Sequence, residues 1–189
     1  MSLVVVTGGI GCGKTTLLKE FAEFGCRVAD ADDLSHEMYQ RGSVAWNAML
    51  SRWGESVLSA DGEIDRRRVA SIAFADSGEL AWLNGLIHPL VRERIVQLSR
   101  DELLFCAIPL FYEIGWHGVE KAVSSTWCDE KTQRERLAAR GWSDDEIERR
   151  LNSQIHKDEK LKRADFAVIT NCSWECLKEQ CRRIFDSLR

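Results

Sequence analysis

Apolar residues fall along this chain in two rhythms. Short blocks at Leu3–Val6, Leu103–Ile108, Lys121–Trp127 and Phe166–Ile169 read as strands. The unbroken apolar run of Leu103–Ile108 suits a strand covered on both faces. Cys26–Ala29 is a shorter strand that runs into Asp30-Ala31-Asp32-Asp33. Elsewhere apolar positions recur at helical spacing. Trp46, Met49, Leu50 and Trp53 stand at i, i+3, i+4 and i+7; Leu80, Leu83 and Ile87 form a second stripe; Leu177, Cys181, Ile184 and Leu188 form a third. Polar punctuation sets the expected boundaries. A helix from Lys14 to about Phe24 stops at Gly25. Gly54 and the Ala60-Asp61-Gly62 turn interrupt the central helical stretch, and Asp65 caps the helix after them. Pro89 is expected to break one helix and open the next. Asp129 caps a helix ending near Arg140-Gly141, and Ser143 with Glu146 forms a capping box for 144–155.

Strand, helix and strand follow one another within the first thirty or so residues, which makes a βαβ unit and predicts a parallel sheet with helices on both faces. The expected fold is therefore α/β: a three-layer core (about 1–33, 101–128 and 165–189), a helical acceptor-binding subdomain (about 34–100) and a basic lid (about 129–164). The second strand is expected beside the first. A length of 189 residues fits one domain, and 44% hydrophobic with 30% charged content fits a soluble enzyme. A net charge of -4 argues against a general nucleic-acid binder. No apolar run approaches the roughly 20 residues a bilayer needs, and no basic-plus-apolar leader is seen, so no membrane partner is expected. Seven cysteines without a C-x-x-C pair argue for free thiols and a cytoplasmic location. Cys172, Cys176 and Cys181 crowd together but lack a fourth ligand at zinc spacing. The oligomeric state is left open, with a monomer favoured.

The chemistry starts directly after the first strand. Gly8-Gly9-Ile10-Gly11-Cys12-Gly13-Lys14-Thr15 has the spacing G-x-x-x-x-G-K-T, the phosphate-binding P-loop. Glycines let successive N–H groups curl inward as a nest for phosphate oxygens. Lys14 supplies a point charge for the β- and γ-phosphates, and the Thr15 hydroxyl can ligate Mg²⁺. The helix that follows turns its positive end to the same anion. The chain is thus expected to bind ATP or a similar nucleoside triphosphate with Mg²⁺. Cys12 is either an oxidisable thiol in that loop or a small residue in a permissive slot. Asp30 and Asp32, alternating along an extended segment, are expected to face the γ-phosphate together, one as the base for an attacking hydroxyl, Asp32 being favoured. The competing use is capping of the next helix, for which Asp33 is better placed. Arg140 is either a cation closing over the triphosphate or a solvated helix end.

Further segments carry a resemblance. Thr7–Thr15, Asp30-Ala31-Asp32, Leu83–Arg92 with its His88-Pro89 pair, and Ile108–Glu113 resemble the dephospho-CoA kinase family; so do Arg136–Arg140, Arg150–Gln154 and Ala164–Asn171. The resemblance runs in order through nearly the whole chain. It implies transfer of the ATP γ-phosphate to the ribose 3′-hydroxyl of dephospho-CoA. Carried onto this chain, it implies ATP binding by Gly11 to Thr16, with Lys14 at the β- and γ-phosphates, Asp32 as base and Arg140 as lid cation. Asn171 would lie near the adenine, and His88 and Arg92 in the acceptor subdomain. Three positions depart from the family's pattern. Ala107 stands where an acid usually holds water on Mg²⁺, with Asp30 or Glu113 as possible substitutes. Thr170 stands in place of an aspartate and Ser173 in place of a glycine. Two other readings stay open at this point: a kinase of the same architecture for gluconate, shikimate or a nucleotide, and a nucleotide-binding regulator without turnover.

Overall fold

Val4, Val5 and Val6 are wholly buried in the first strand of a computed structural model that describes residues 2–189. That strand, β1 (Leu3–Gly8), is followed by α1 (Lys14–Glu23), β2 (Arg27–Asp30), α2 (Ala31–Glu37), α3 (Val44–Trp53), α4 (Arg66–Ala75) and α5 (Ser77–Leu98). Next come β3 (Leu104–Ala107), β4 (Ala122–Trp127), α6 (Glu130–Ala138), α7 (Asp144–Asn152), α8 (Lys157–Arg163), β5 (Phe166–Ile169) and α9 (Trp174–Ser187). The chain forms two compact units, one from the residues through Asp30 with Leu98–Arg189, the other from Ala31–Gln97.

The first unit is built on a five-stranded sheet whose pairings are all parallel, in the order β2-β3-β1-β4-β5. Side chains alternate across β1. Val4 and Val6 join Leu17, Leu18 and Phe21 of α1 and Leu177, Cys181 and Ile184 of α9 in one apolar core. Phe21 stacks on Phe105 of β3 with ring centroids 3.7 Å apart. Helix α8 lies against β4 and β1. The expected pairing of β2 with β1 is wrong, because β3 lies between them. Burial explains the order: β1 is covered along its whole length and takes the centre, whereas Arg27 and Val28 of β2 are exposed and suit an edge.

The lid region also differs from its expected form. Asp129 caps as expected, accepting from the Thr132 amide, but the expected box is half formed: Ser143 accepts from the Glu146 amide, while the Glu146 carboxylate pairs with Arg150. The second helix, however, stops at Asn152, and His156 caps a separate α8 by accepting from the Asp158 amide.

In the second unit, α5 runs straight through Pro89 where a break was expected. Leu83, Ile87, Val91 and Ile95 follow at four-residue intervals and are all buried. Each such side chain contributes about 1.5–3 kcal/mol on burial. Together they outweigh a helix-interior proline, which costs about 3 kcal/mol. Trp53 Nε1 and the Arg52 guanidinium share the Glu79 carboxylate at 2.7–2.9 Å. Asp65 caps α4 as expected.

Glu20 is an outlier in the first unit's core. It is buried on α1, facing α9, and neither carboxyl oxygen has a hydrogen-bond partner among the described residues. Desolvation, reinforced by Glu23 and opposed by Lys178, pushes its carboxyl above the ordinary 4.5. The folded chain therefore holds this proton to higher pH than the unfolded chain, so stability falls as pH rises through the window above 4.5. Glu20→Gln keeps the shape and removes the charge. Its melting temperature is expected to exceed the wild type's at neutral pH and to converge with it in acid. A melt series across pH in which the two proteins stay parallel would refute this.

Candidate active site

The loop between β1 and α1 is shaped by what its glycines permit. Gly8 turns with φ of 135°, and a Cβ there would meet the Thr126 carbonyl oxygen at 2.4 Å. Only glycine lets β1 leave the sheet this close to β4. The Cys12 amide donates to the Gly9 carbonyl at 3.1 Å, tightening the turn. Gly13 is left-handed, with φ of 86°, and forms the N-cap of α1 without any side-chain cap bond. A glycine at this place brings no side chain over the first turn of α1, the arrangement that anion sites use. Lys14 folds back over the loop, with Nζ 3.0 Å from both the Gly8 and Gly9 carbonyl oxygens. Thr15 is exposed and Thr16 half-buried at the start of α1.

Residues distant in sequence hold this loop in place. Arg136 of α6 donates to Thr170 Oγ1 at 2.9 Å, to the Thr170 carbonyl at 2.7 Å and to the Gly11 carbonyl at 3.4 Å. Thr170 Oγ1 in turn lies 3.1 Å from the Cys12 carbonyl, and a Cβ on Gly13 would come within 3.2 Å of the Thr170 side chain. The threonine that departs from the family's usual aspartate is therefore a neutral strut between β5 and the loop. On the other side, buried Gln133 donates Nε2 to the Ile10 carbonyl at 2.7 Å, and Lys157 Nζ donates to Gln133 Oε1 at 2.8 Å. A cavity of about 380 Å³ opens beside this backbone, lined among others by Gly9, Ile10, Trp127, Gln133, Gln154 and Lys157.

The remaining basic residues of α6, α7 and the turn between them divide by role. Arg134 pairs with Glu130 and Glu148, while Arg150 pairs with Glu146 at 2.9 Å and lies over the Trp142 ring. These are surface pairs that brace α6 and α7. Arg140 lies exposed past the end of α6 and makes no side-chain ion pair among the described residues. Asn171 is exposed too, with Nδ2 donating to Asp129 Oδ2 at 2.5 Å. The two Thr132 contacts come first among the causes that hold the Asp129 carboxyl below its ordinary range, and Asn171 adds to them.

The two candidate acids do not share an extended segment. Asp30 ends β2, in register with Ala107 of β3, whereas Asp32 is exposed in the first turn of α2. The expected alternation fails because the chain turns helical at Ala31. Asp30 therefore stands one strand over from the buried Ala107. Glu113, the other candidate substitute for the missing acid, uses one oxygen elsewhere: Oε1 pairs with buried Lys160 at 2.7 Å and accepts from the Ile155 amide at 3.0 Å, while Oε2 is buried with no hydrogen-bond partner among the described residues. Lys160 also donates to the Pro109 carbonyl, tying α8 to the segment after β3. In the second unit, His88 and Arg92 are half-buried four residues apart on α5, and burial lowers the His88 pKa.

With loop, strut and strand edge in place, the relatives are informative. The family model for dephospho-CoA kinase matches residues 2–175. The chain belongs to the dephospho-CoA kinase family. It is accordingly an ATP-dependent kinase, a transferase of coenzyme A synthesis. A dephospho-CoA kinase of Aeromonas hydrophila is 36% identical over 169 residues, 87% of this chain and 83% of the relative. One from Aquifex aeolicus is 31% identical over 192 residues, 100% of this chain and 98% of the relative. The solved structure of TT1252 from Thermus thermophilus superposes with a TM-score of 0.83 at 29% identity, covering 99% of this chain and 97% of that one. Arg136, Gln133, Lys157 and Thr170 gain their places beside the loop from tertiary packing. In sequence, Arg136 and Thr170 fall within segments that resemble the family, and Gln133 stands three before Arg136 on the same side of α6, whereas nothing local marks Lys157 for this place.

Proposed function

We propose that this kinase transfers the γ-phosphate of ATP to the ribose 3′-hydroxyl of dephospho-CoA, giving coenzyme A. The observation that carries the reading is the uncapped start of α1 beneath a glycine loop that Lys14 crosses at 3.0 Å. Gly8 to Thr16 cradle the polyphosphate through main-chain amides, and Lys14 neutralises charge between the β- and γ-phosphoryl groups. Asp32 takes the proton of the attacking hydroxyl. Arg140, unpaired past α6, supplies a planar donor fork to the transferring group. Asn171 borders the adenine, and His88 with Arg92 contacts the acceptor. The protein acts as a cytoplasmic monomer, in keeping with seven free thiols.

The oxygen donors present suit Mg²⁺. That ion keeps several waters and needs only one or two carboxylates beside substrate phosphates. The exposed Thr15 hydroxyl and the Asp30 carboxylate at the strand edge are such donors. When bound, the metal would offset charge on the β- and γ-phosphate oxygens. Asp30, beside Ala107, takes over the acid that the third strand lacks. Two substitutions test this reading in opposite senses. Asp30→Asn is expected to raise the Mg²⁺ concentration for half-maximal rate, and Ala107→Asp to lower it. A Mg²⁺ titration unmoved by either would give the metal to other donors.

ADP release with Mg²⁺-ATP and a panel of acceptors tests the reaction itself. Dephospho-CoA-dependent ADP is the expected result. Turnover only on gluconate, shikimate or a nucleotide, or ATP binding without turnover on any acceptor, would overturn the proposal.

A further inference from the structure

The phosphate loop carries a thiol whose partner the sequence does not reveal. Cys12 Sγ lies 3.7 Å from Cys128 Sγ, and both residues are fully buried. Cys128 follows the last residue of β4 and precedes the cap of α6, so the pair bridges segments 116 positions apart. We propose that Cys12 and Cys128 form an oxidative modification site, a thiol pair that closes to a disulfide and withdraws the phosphate loop from ATP.

The surroundings divide the labour between the two sulfurs. The hydrogen bond with Cys12, then Arg136 and Lys157, pull the Cys128 thiol below its ordinary value, against the opposing effects of burial and Asp129. Cys12 is driven the other way and keeps its proton. Arg136 and Lys157 favour attack by the Cys128 sulfur, and Cys12, in contact at 3.7 Å, is placed to resolve it. With hydrogen peroxide as oxidant, the Cys128 sulfur attacks one peroxide oxygen, the O–O bond breaks, and the departing hydroxide takes up the proton given up by the Cys128 thiol, leaving a sulfenic acid and one water. Cys12 sulfur then displaces the sulfenic hydroxyl, which leaves with the Cys12 proton as a second water. Two thiols and one peroxide give one disulfide and two waters.

The bond would act on the loop through its packing. A disulfide needs the sulfurs at about 2.05 Å, so the gap must close by roughly 1.6 Å. Cys12 is held in the loop by its neighbours. Its sulfur lies 3.0 Å from where a Cβ on Gly9 would stand, its amide is bonded to the Gly9 carbonyl, and its carbonyl accepts from Thr170. Drawing Cys12 toward β4 displaces the neighbouring amides that grip phosphate. The effect on turnover rests on the kinase reading above; the cross-link does not.

Cys172 and Cys176 are exposed and interact with each other, so the test uses a Cys172→Ser/Cys176→Ser background. Graded hydrogen peroxide is applied to the full chain. Peptide mass mapping then follows the Cys12–Cys128 cross-link, while calorimetry follows ATP binding. ATP binding is expected to disappear in proportion to the cross-linked fraction and to return with dithiothreitol. Cys128→Ser in the same background is expected to keep ATP binding through the treatment. Cross-linked protein that still binds ATP, peroxide that leaves both thiols free, or equal loss of binding in Cys128→Ser would each overturn the proposal. The mapping on the parent protein decides the matter even if Cys128→Ser does not fold. Failure of the kinase reading would show separately, as no dephospho-CoA-dependent ADP from the reduced enzyme.

Discussion

Lys14→Ala is expected to lower kcat by about 10²–10³-fold, the cost of removing one preorganised donor from a developing anionic centre. Lys14 is half-buried, and its Nζ is aimed by the Gly8 and Gly9 carbonyl oxygens, each 3.0 Å away. Those contacts fix where the charge sits before substrate arrives, so little reorganisation is left for the reaction itself. They contribute little to the fold, because the carbonyls at the loop's mouth can turn to water once the ammonium is gone. The melting temperature should therefore stay near the wild-type value while ADP release collapses. A rate within a few-fold of wild type would show that the loop's amides alone carry the phosphate charge.

Asp32→Asn is the second large effect. The amide keeps the carboxylate's shape and cannot take the hydroxyl's proton, so kcat is expected to fall by about 10²–10⁴-fold, the usual worth of a positioned general base. Asp32 is exposed in the first turn of α2, where an asparagine is also tolerated, so the melting temperature should fall only modestly. ATP affinity and the Mg²⁺ titration should both stay put, which separates this variant from Asp30→Asn. Near-native turnover in Asp32→Asn would remove the base assignment. A shifted Mg²⁺ titration would move Asp32 into the metal's shell instead.

Much of this molecule is local enough to be read from residue order. The glycine loop and the caps at Asp65, Asp129 and Ser143 each depend on neighbours within a few positions. What escaped reading depends on distant contacts. The place of β3 between β2 and β1 is set by which strand can be covered on both edges, a property of the finished sheet. Pro89 looks like a break until the buried ladder from Leu83 to Ile95 is seen to span it. The site shows the same division. Its phosphate loop is a contiguous motif, whereas Arg136, Gln133 and Lys157 are common residues on a charged surface until packing turns them toward Gly11 and Ile10. Cys128 is a lone thiol in sequence and half of a pair in space.

The position of β1 has a cost during synthesis. This centre strand is the earliest of the five to be made, yet its partners begin at Leu104 on one side and Ala122 on the other. While those residues are still being added, a greasy ribbon of valines has no edge to join. Parallel pairings across so many positions are slow to form and prone to sticking in the meantime. A growing chain of this kind benefits from shelter at the ribosome exit until more than half of its length has emerged.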